Sequence, residues 1–324
     1  MEFFIPDPEH LTLGLRTLAT VARVDGPLRD GEAAVLRAAD ALLGDGSERD
    51  LDLLEPIAPA ELAAGFTPPP LRFQLVAAML VMAMADGEVG QAEADLVAAF
   101  AAALGVESSA VHNLDRLARG HYRRARLDIV RRQWAPKKIA EMAAVQGRAI
   151  IPKAILGMLG LHQDPVLTAR YLALGRLPAG SLGRSYFEYM VANEFAFPGE
   201  AYAPPEAMVF HDMTHILSGY GTRPDQEILA AAFSAGYSSY EVHNWFAFVL
   251  SQFQLGLQTA PNIPPARLQM DPARLLVAVR RGAAMTIDIN DGWDYWEVIE
   301  EPVEALRERY HILPESAFMR TATP

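Results

Sequence analysis

No cysteine occurs among the 324 residues. That excludes disulfides and thiolate metal sites, so a bound metal must take nitrogen and oxygen ligands. Basic residues are outnumbered, with 28 Lys and Arg against 40 Asp and Glu, a formal net charge of -12 and a pI near 5.1. Broad nucleic-acid binding needs clustered cations and is not expected. Long apolar runs are missing as well. The longest, Leu75 to Ala85, falls well short of the roughly 18–20 residues that span a bilayer. The opening MEFFIPDPEH has neither the basic region nor the apolar core of a secretion signal. The expectation is a cytoplasmic protein, soluble or peripheral on the inner face of the membrane. No βαβ alternation and no Gly-rich phosphate loop appear.

What is present is 51% hydrophobic and 21% charged, enough to bury full-sized cores. The length is a prior for two domains. Helical periodicity runs through almost the whole chain, with Pro and Gly between periodic segments, so an all-α fold is expected. Only Ala283 to Asp288 has some strand character. The predicted organisation is an amino-terminal bundle built from a repeat, residues 1–138, followed by a metal-binding helical domain, residues 139–324.

The repeat pairs VARVDGPLRDGEAAVL, Val21 to Leu36, with MAMADGEVGQAEADLV, Met82 to Val97. Asp25, Gly26, Leu28 and Glu32 match Asp86, Gly87, Val89 and Glu93. Each unit reads helix, Asp-Gly break, helix. The glutamates fall near a helix start, where negative charge meets the positive end of the dipole. Asp25 and Asp86 read as turn or cap residues, and the loops do not follow the calcium-loop pattern. These features resemble the tellurite-resistance TerB-like helical domain over roughly residues 10–130. The resemblance implies a small helical bundle with a role in binding metal or a partner.

Between Arg116 and Lys138 lie Arg119, Arg123, Arg124, Arg126, Arg131, Arg132 and Lys137, with Tyr122 and Trp134 interleaved. Two readings stand. One is contact with anionic lipid head groups or a phosphate-bearing ligand. The other is a solvated face paired with the protein's own acids.

The chemistry is concentrated in MVFHDMTHILSGYGTRPDQEILAAAF, Met208 to Phe233. A helix advances about 100° per residue, so His211, Asp212 and His215 share one arc of one helix. Histidines at i and i+4 are the spacing of helical zinc sites. The helix should end at Gly219 or Gly221. Thr222 is expected to cap the next helix, with Pro224 in its first turn and Asp225 as in a capping box. Glu227 then stands about one turn into the second helix and His215 about one turn before the end of the first. An antiparallel return would bring Glu227 to His215. The competing reading is a hydrogen-bonded structural histidine pair. The second position is Asp, so this is not the metalloprotease HExxH.

The run His-Asp-x-x-His followed by eleven residues and Glu resembles the motif of the ubiquinone-biosynthesis family of coenzyme Q biosynthesis protein four. Two flanking segments agree in order. LPAGSLGRSYFEYM, Leu177 to Met190, precedes the motif and YWEVIEEPVEALRERYHIL, Tyr295 to Leu313, follows it, with Trp296, Pro302, Leu306, Arg307 and Ile312 in step. The likeness spans about residues 145–315. It implies an all-α zinc-binding domain that holds a polyprenylated aromatic lipid. It also implies replacement of the C1 carboxylate of a polyprenylated hydroxybenzoate by hydroxyl, and contact with other quinone-biosynthesis proteins. A non-catalytic, zinc- and lipid-binding scaffold for those enzymes is the alternative. The TerB-like segment ahead of it departs from that family's plan.

The expected metal ligands are therefore His211, Asp212, His215 and Glu227, around zinc. Two histidines and a carboxylate also suit iron(II), which is the alternative metal. Three candidates for catalysis stand beside them. His243, on a long apolar helix, could serve as acid or base, or be an ordinary buried histidine. Arg184 could orient an anionic group, and Tyr220 lies next to the motif. The aromatic row Trp245, Phe246, Phe248 and Phe253 reads as core or as the lining of a lipid pocket.

Overall fold

The computed structural model describes residues 3–46, 49–147, 150–239, 242–260 and 263–319. Its architecture is all-α. The helices are α1 (Pro8–Ala22), α2 (Asp30–Leu43), α3 (Pro59–Gly65), α4 (Pro69–Met82), α5 (Gln91–Ala103), α6 (Ser109–Ala118), α7 (Tyr122–Arg131), α8 (Trp134–Gln146), α9 (Ile150–Met158), α10 (Pro165–Leu172), α11 (Leu182–Ala192), α12 (Val209–Ser218), α13 (Pro224–Tyr237), α14 (Val242–Phe253), α15 (Pro272–Ala283) and α16 (Val303–Arg309). Among the described residues there is no strand, only the isolated bridges Ser181–Pro302 and Leu255–Arg267. The strand character read at Ala283 to Asp288 is not realised. α15 runs through Ala283, and the chain then leaves it as turn and bend. Val, Ile and Thr prefer strands only where a partner edge exists to pair with them.

Starts of several helices are written locally. Asp7-Pro8, Asp164-Pro165 and Asp271-Pro272 each place an acceptor at the N-cap and a proline in the first turn. The cap satisfies backbone N–H groups that have no helical partner, and proline has none to lose.

The chain divides into two compact units that are not continuous in sequence. The first comprises residues 1–132, 223–284 and 314–324, the second residues 133–222 and 285–313. One border, at 132/133, falls close to the expected 138/139. The region after it is shared between the two units, because α14 and α15 pack with the amino-terminal helices and α13 packs on both of them. In the first unit α13 lies along α15, α14 packs on α4 and α6, and α15 packs on α2. Leu15, Leu36, Met79, Leu80 and Phe100 are fully buried there. In the second unit α11 and α16 pack on α12.

The repeat forms α1–turn–α2 and α4–turn–α5. The Glu32 carboxylate accepts from the Arg29 N–H at 2.7 Å, and that of Glu93 from the Gly90 N–H at 2.9 Å. Each closes the first turn of its helix, as in half of a capping box. Asp25 and Asp86 both bind the Arg29 guanidinium. Burial pushes Glu93 up to about 7, and the charges of Asp25, Glu32 and Asp86 push the same way. Gly87 turns with φ +83, a conformation L side chains rarely adopt.

Candidate metal centre

α12 ends where the sequence has Gly219. That residue is left-handed, φ 80, and its N–H returns to the His215 carbonyl at 2.9 Å. The last free carbonyls of α12 are met by a side chain far along the chain. Arg307 donates to the Leu217 and Ile216 carbonyls, each at 2.9 Å. The cap expected from Thr222 is not made. Arg223 is the N-cap residue of α13, and the Thr222 hydroxyl donates to Asn193 at 2.9 Å. Asp225 pairs with the Arg223 guanidinium, whose hydrogen bonds hold its pKa down to about 2.

Among the described residues, His211, His215 and Glu227 each bring one ligand atom within 4.8 Å of the others. The two Nε2 atoms are 3.3 Å apart. Two nitrogens bound at about 2.0–2.1 Å with a tetrahedral angle between them stand about 3.3–3.4 Å apart, so the spacing fits a shared zinc. The tautomer of His215 follows from its other nitrogen. Nδ1 lies 3.1 Å from the Tyr220 carbonyl, which can only accept. Nδ1 therefore carries the proton and Nε2 presents a lone pair, the arrangement of metal-bound histidines. Tyr189 stacks on the same ring, centroids 5.8 Å apart. Zinc or another divalent ion suits two imidazoles and one carboxylate.

Asp212 is not part of this triad. It stands one residue from His211, about 100° around the helix. Its charge bears on Tyr186, whose phenol is pushed well up, first by burial and then by Asp212. The Tyr186 hydroxyl is buried and has no hydrogen-bond partner among the described residues. Nearby, the Tyr171 hydroxyl donates to Glu206 at 2.9 Å and lies 2.6 Å from the Tyr295 hydroxyl. Arg170 covers the Trp296 ring at 3.5 Å. This buried polar group was not foreseen. Tyr186 stood within the LGRSY segment, whereas Tyr171 and Glu206 carry no sequence signal.

The three residues read as catalytic candidates have other surroundings. His243 is fully buried and stacked on Phe73, centroids 3.9 Å apart. Its Nε2 donates to the Phe73 carbonyl at 3.0 Å, and its Nδ1 accepts from Ser108 Oγ at 2.9 Å. Both nitrogens are thus used inside the helical core, and burial lowers the pKa to about 4. Arg184 binds Glu188 at 2.6 Å and the Gly175 carbonyl, which occupies its fork. Tyr220 is buried, and it is its carbonyl that meets the centre. Trp245, Phe246 and Phe253 are buried core residues of α14.

The basic stretch is largely neutralised from within. Asp128 pairs with Arg116, Arg131 and Arg132, Asp115 with Arg119, and Glu141 with Lys137 and Lys138. Arg123, Arg124 and Arg126 are exposed on α7, with Tyr122 and Leu127 exposed by 56% and 71%. Among the described residues no helix is long and apolar enough to cross a membrane.

No curated protein matches the chain. A crystal structure of a proposed ubiquinone biosynthesis protein from Nostoc punctiforme is similar at 19% identity and a TM-score of 0.33, over 63% of this chain and 95% of that one. Residues 57–116, which span α3 to α6, match the family model of tellurite resistance protein TerB.

Proposed function

We propose that this chain is a metal-dependent enzyme of ubiquinone biosynthesis. It would release the C1 carboxylate of a polyprenylated hydroxybenzoate as carbon dioxide and place a hydroxyl at that carbon. The observation that supports this reading is that His211, His215 and Glu227 each bring one ligand atom within 4.8 Å of the others. The ordered flanking segments, with Arg307 holding the end of α12, support it. The exchange is a two-electron oxidation and draws on an external oxidant such as dioxygen. A metal in this site would supply Lewis-acid polarisation of the substrate carboxylate or phenolate. Tyr220 keeps His215 in the ligand tautomer through its carbonyl. Tyr186, held protonated by burial, offers a hydrogen-bond donor beside Asp212.

The exposed cations of α7 suit contact with the anionic inner face of a membrane, where a prenylated substrate resides.

Elemental analysis of the purified chain tests the site, and carbon dioxide release from a prenylated hydroxybenzoate tests the activity. The expected result is about one zinc per chain, lost in His211→Ala/His215→Ala together with turnover. Iron in its place would favour the oxygen-dependent variant of the same reading. Bound metal without carbon dioxide release under aerobic conditions would sink the enzyme and leave a lipid-binding scaffold.

A further inference from the structure

The first unit holds a partly open cavity of about 150 Å³. Its wall is almost entirely apolar, with Leu15 and Leu18 from α1, Val35 from α2, Leu75 from α4, Phe246 from α14 and Leu275 from α15. The segment Phe3 to Pro6 borders it, tied down by Gln74. That amide donates to the Phe4 carbonyl at 2.9 Å and accepts from the Phe4 N–H at 2.7 Å. Both polar ends of Gln74 are therefore used. The other polar side chain in the wall is His10.

His10 is half of a fixed pair. Its Nδ1 lies 2.8 Å from an Asp7 carboxylate oxygen, and Phe66 packs edge-on, centroids 5.3 Å apart. Asp7 is itself locked as the N-cap of α1, accepting from the Glu9 and His10 N–H groups. The carboxylate can only accept, so Nδ1 donates to it. In the neutral ring, Nε2 is then a lone-pair acceptor. That Nε2 is buried and, among the described residues, has no hydrogen-bond partner. A cavity with one acceptor does not hold a water well, because a buried water needs two to four polar partners. An apolar molecule with a single donor meets both the wall and the nitrogen.

We propose that this cavity binds one narrow apolar molecule, or the end of one, of about six to eight carbons bearing a hydroxyl that donates to His10 Nε2. The size follows from a cavity of similar volume that accepts benzene. The site is formed by other residues than the metal centre and does not depend on it.

Two isomers separate the hydrogen bond from the volume: 1-hexanol, which donates, and methyl pentyl ether, which does not. Calorimetric titration of the full-length chain should show 1-hexanol binding about tenfold tighter, the margin expected when a buried acceptor is satisfied in one complex and not in the other. His10→Phe should bring the two affinities together while the ether still binds. Ala78→Phe, or the milder Ala39→Leu should the first not fold, fills the space and should abolish both. Absence of binding to the wild-type chain, equal affinities there, a preference that survives His10→Phe, or undiminished binding in a folded filled variant would each overturn the proposal.

Discussion

Tyr220 and His243 each make a contact whose role a single substitution can test. Tyr220 stands beside the motif, which invites a role for its phenol, and its backbone carbonyl lies 3.1 Å from His215 Nδ1. Tyr220→Phe should therefore leave metal affinity within about threefold of wild type, whereas loss of an outer hydrogen bond to a metal-bound histidine costs about 10–100-fold. Equilibrium competition with a chelator measures this, with His215→Asn as the variant that loses the ion. His243 has both nitrogens engaged and a pKa lowered to about 4. Its ordinary value is 6.5, so between those values the unfolded chain binds a proton that the folded chain refuses. Stability from this residue is complete above about pH 6.5 and is lost progressively as pH falls toward 4. The loss amounts to about 3 kcal/mol. Urea denaturation at pH 7 and pH 4.5 should show a fall that His243→Gln reduces. Legibility at this scale was uneven. His211 and His215 follow from helical spacing and Glu227 from the length of the turn. Asp212 was read as a fourth ligand because it shares an arc with His211 and His215 and stands in the motif, while the ligand atoms found within 4.8 Å of one another are those of His211, His215 and Glu227. Glu32 and Glu93 were placed correctly at helix starts, but the Arg29 shared by Asp25 and Asp86 has no counterpart in the repeat, which pairs only like residues of the two units.

At the scale of the element, periodicity revealed the helices, and Asp-Pro and Gly marked their ends. The short stretch at Ala283 to Asp288 misled because β-branched residues report only a preference. Long-range contacts were not legible, and they decide most about α13 and α15. These helices touch where each carries a glycine. A Cβ built on Gly282 would lie 1.9 Å from the Phe233 carbonyl oxygen, and one on Gly236 would lie 2.2 Å from that of Val279. The backbones meet because neither has a side chain. Gly282→Ala should force them apart and cost about 1–3 kcal/mol, the usual range for overpacking. Chemical denaturation would register this as a lower midpoint. A midpoint at or above wild type, which the gain in helix propensity from alanine alone would give, would contradict the close crossing.

For the molecule as a whole, the formal charge is -12, while α7 exposes three arginines with an aromatic and a leucine. If this face meets an anionic bilayer, vesicles containing phosphatidylserine should retain the chain at low salt and release it as salt shortens the Debye length to about 8 Å and below. Arg123→Glu/Arg126→Glu should weaken co-sedimentation several-fold, given about 1 kcal/mol per basic residue near the surface. Retention that ignores both salt and these substitutions would mean apolar insertion and not charge. The net charge argued only against broad nucleic-acid binding, and the basic stretch left both a lipid contact and an internally paired face open. Only the three-dimensional placement distinguishes arginines paired with Asp128 from those left facing solvent.

The first unit is assembled from segments that leave the ribosome at different times. Residues 1–132 emerge first, but α14 and α15, which cover α4 and α2, follow only after residues 133–222 have been made. During that interval the early helices have apolar faces without their partners, and their contacts wait on a long loop closing. The nascent chain therefore passes through a stage in which its amino-terminal half is helical and sticky, and the glycine-mediated contact of α13 with α15 is among the last events that seal it.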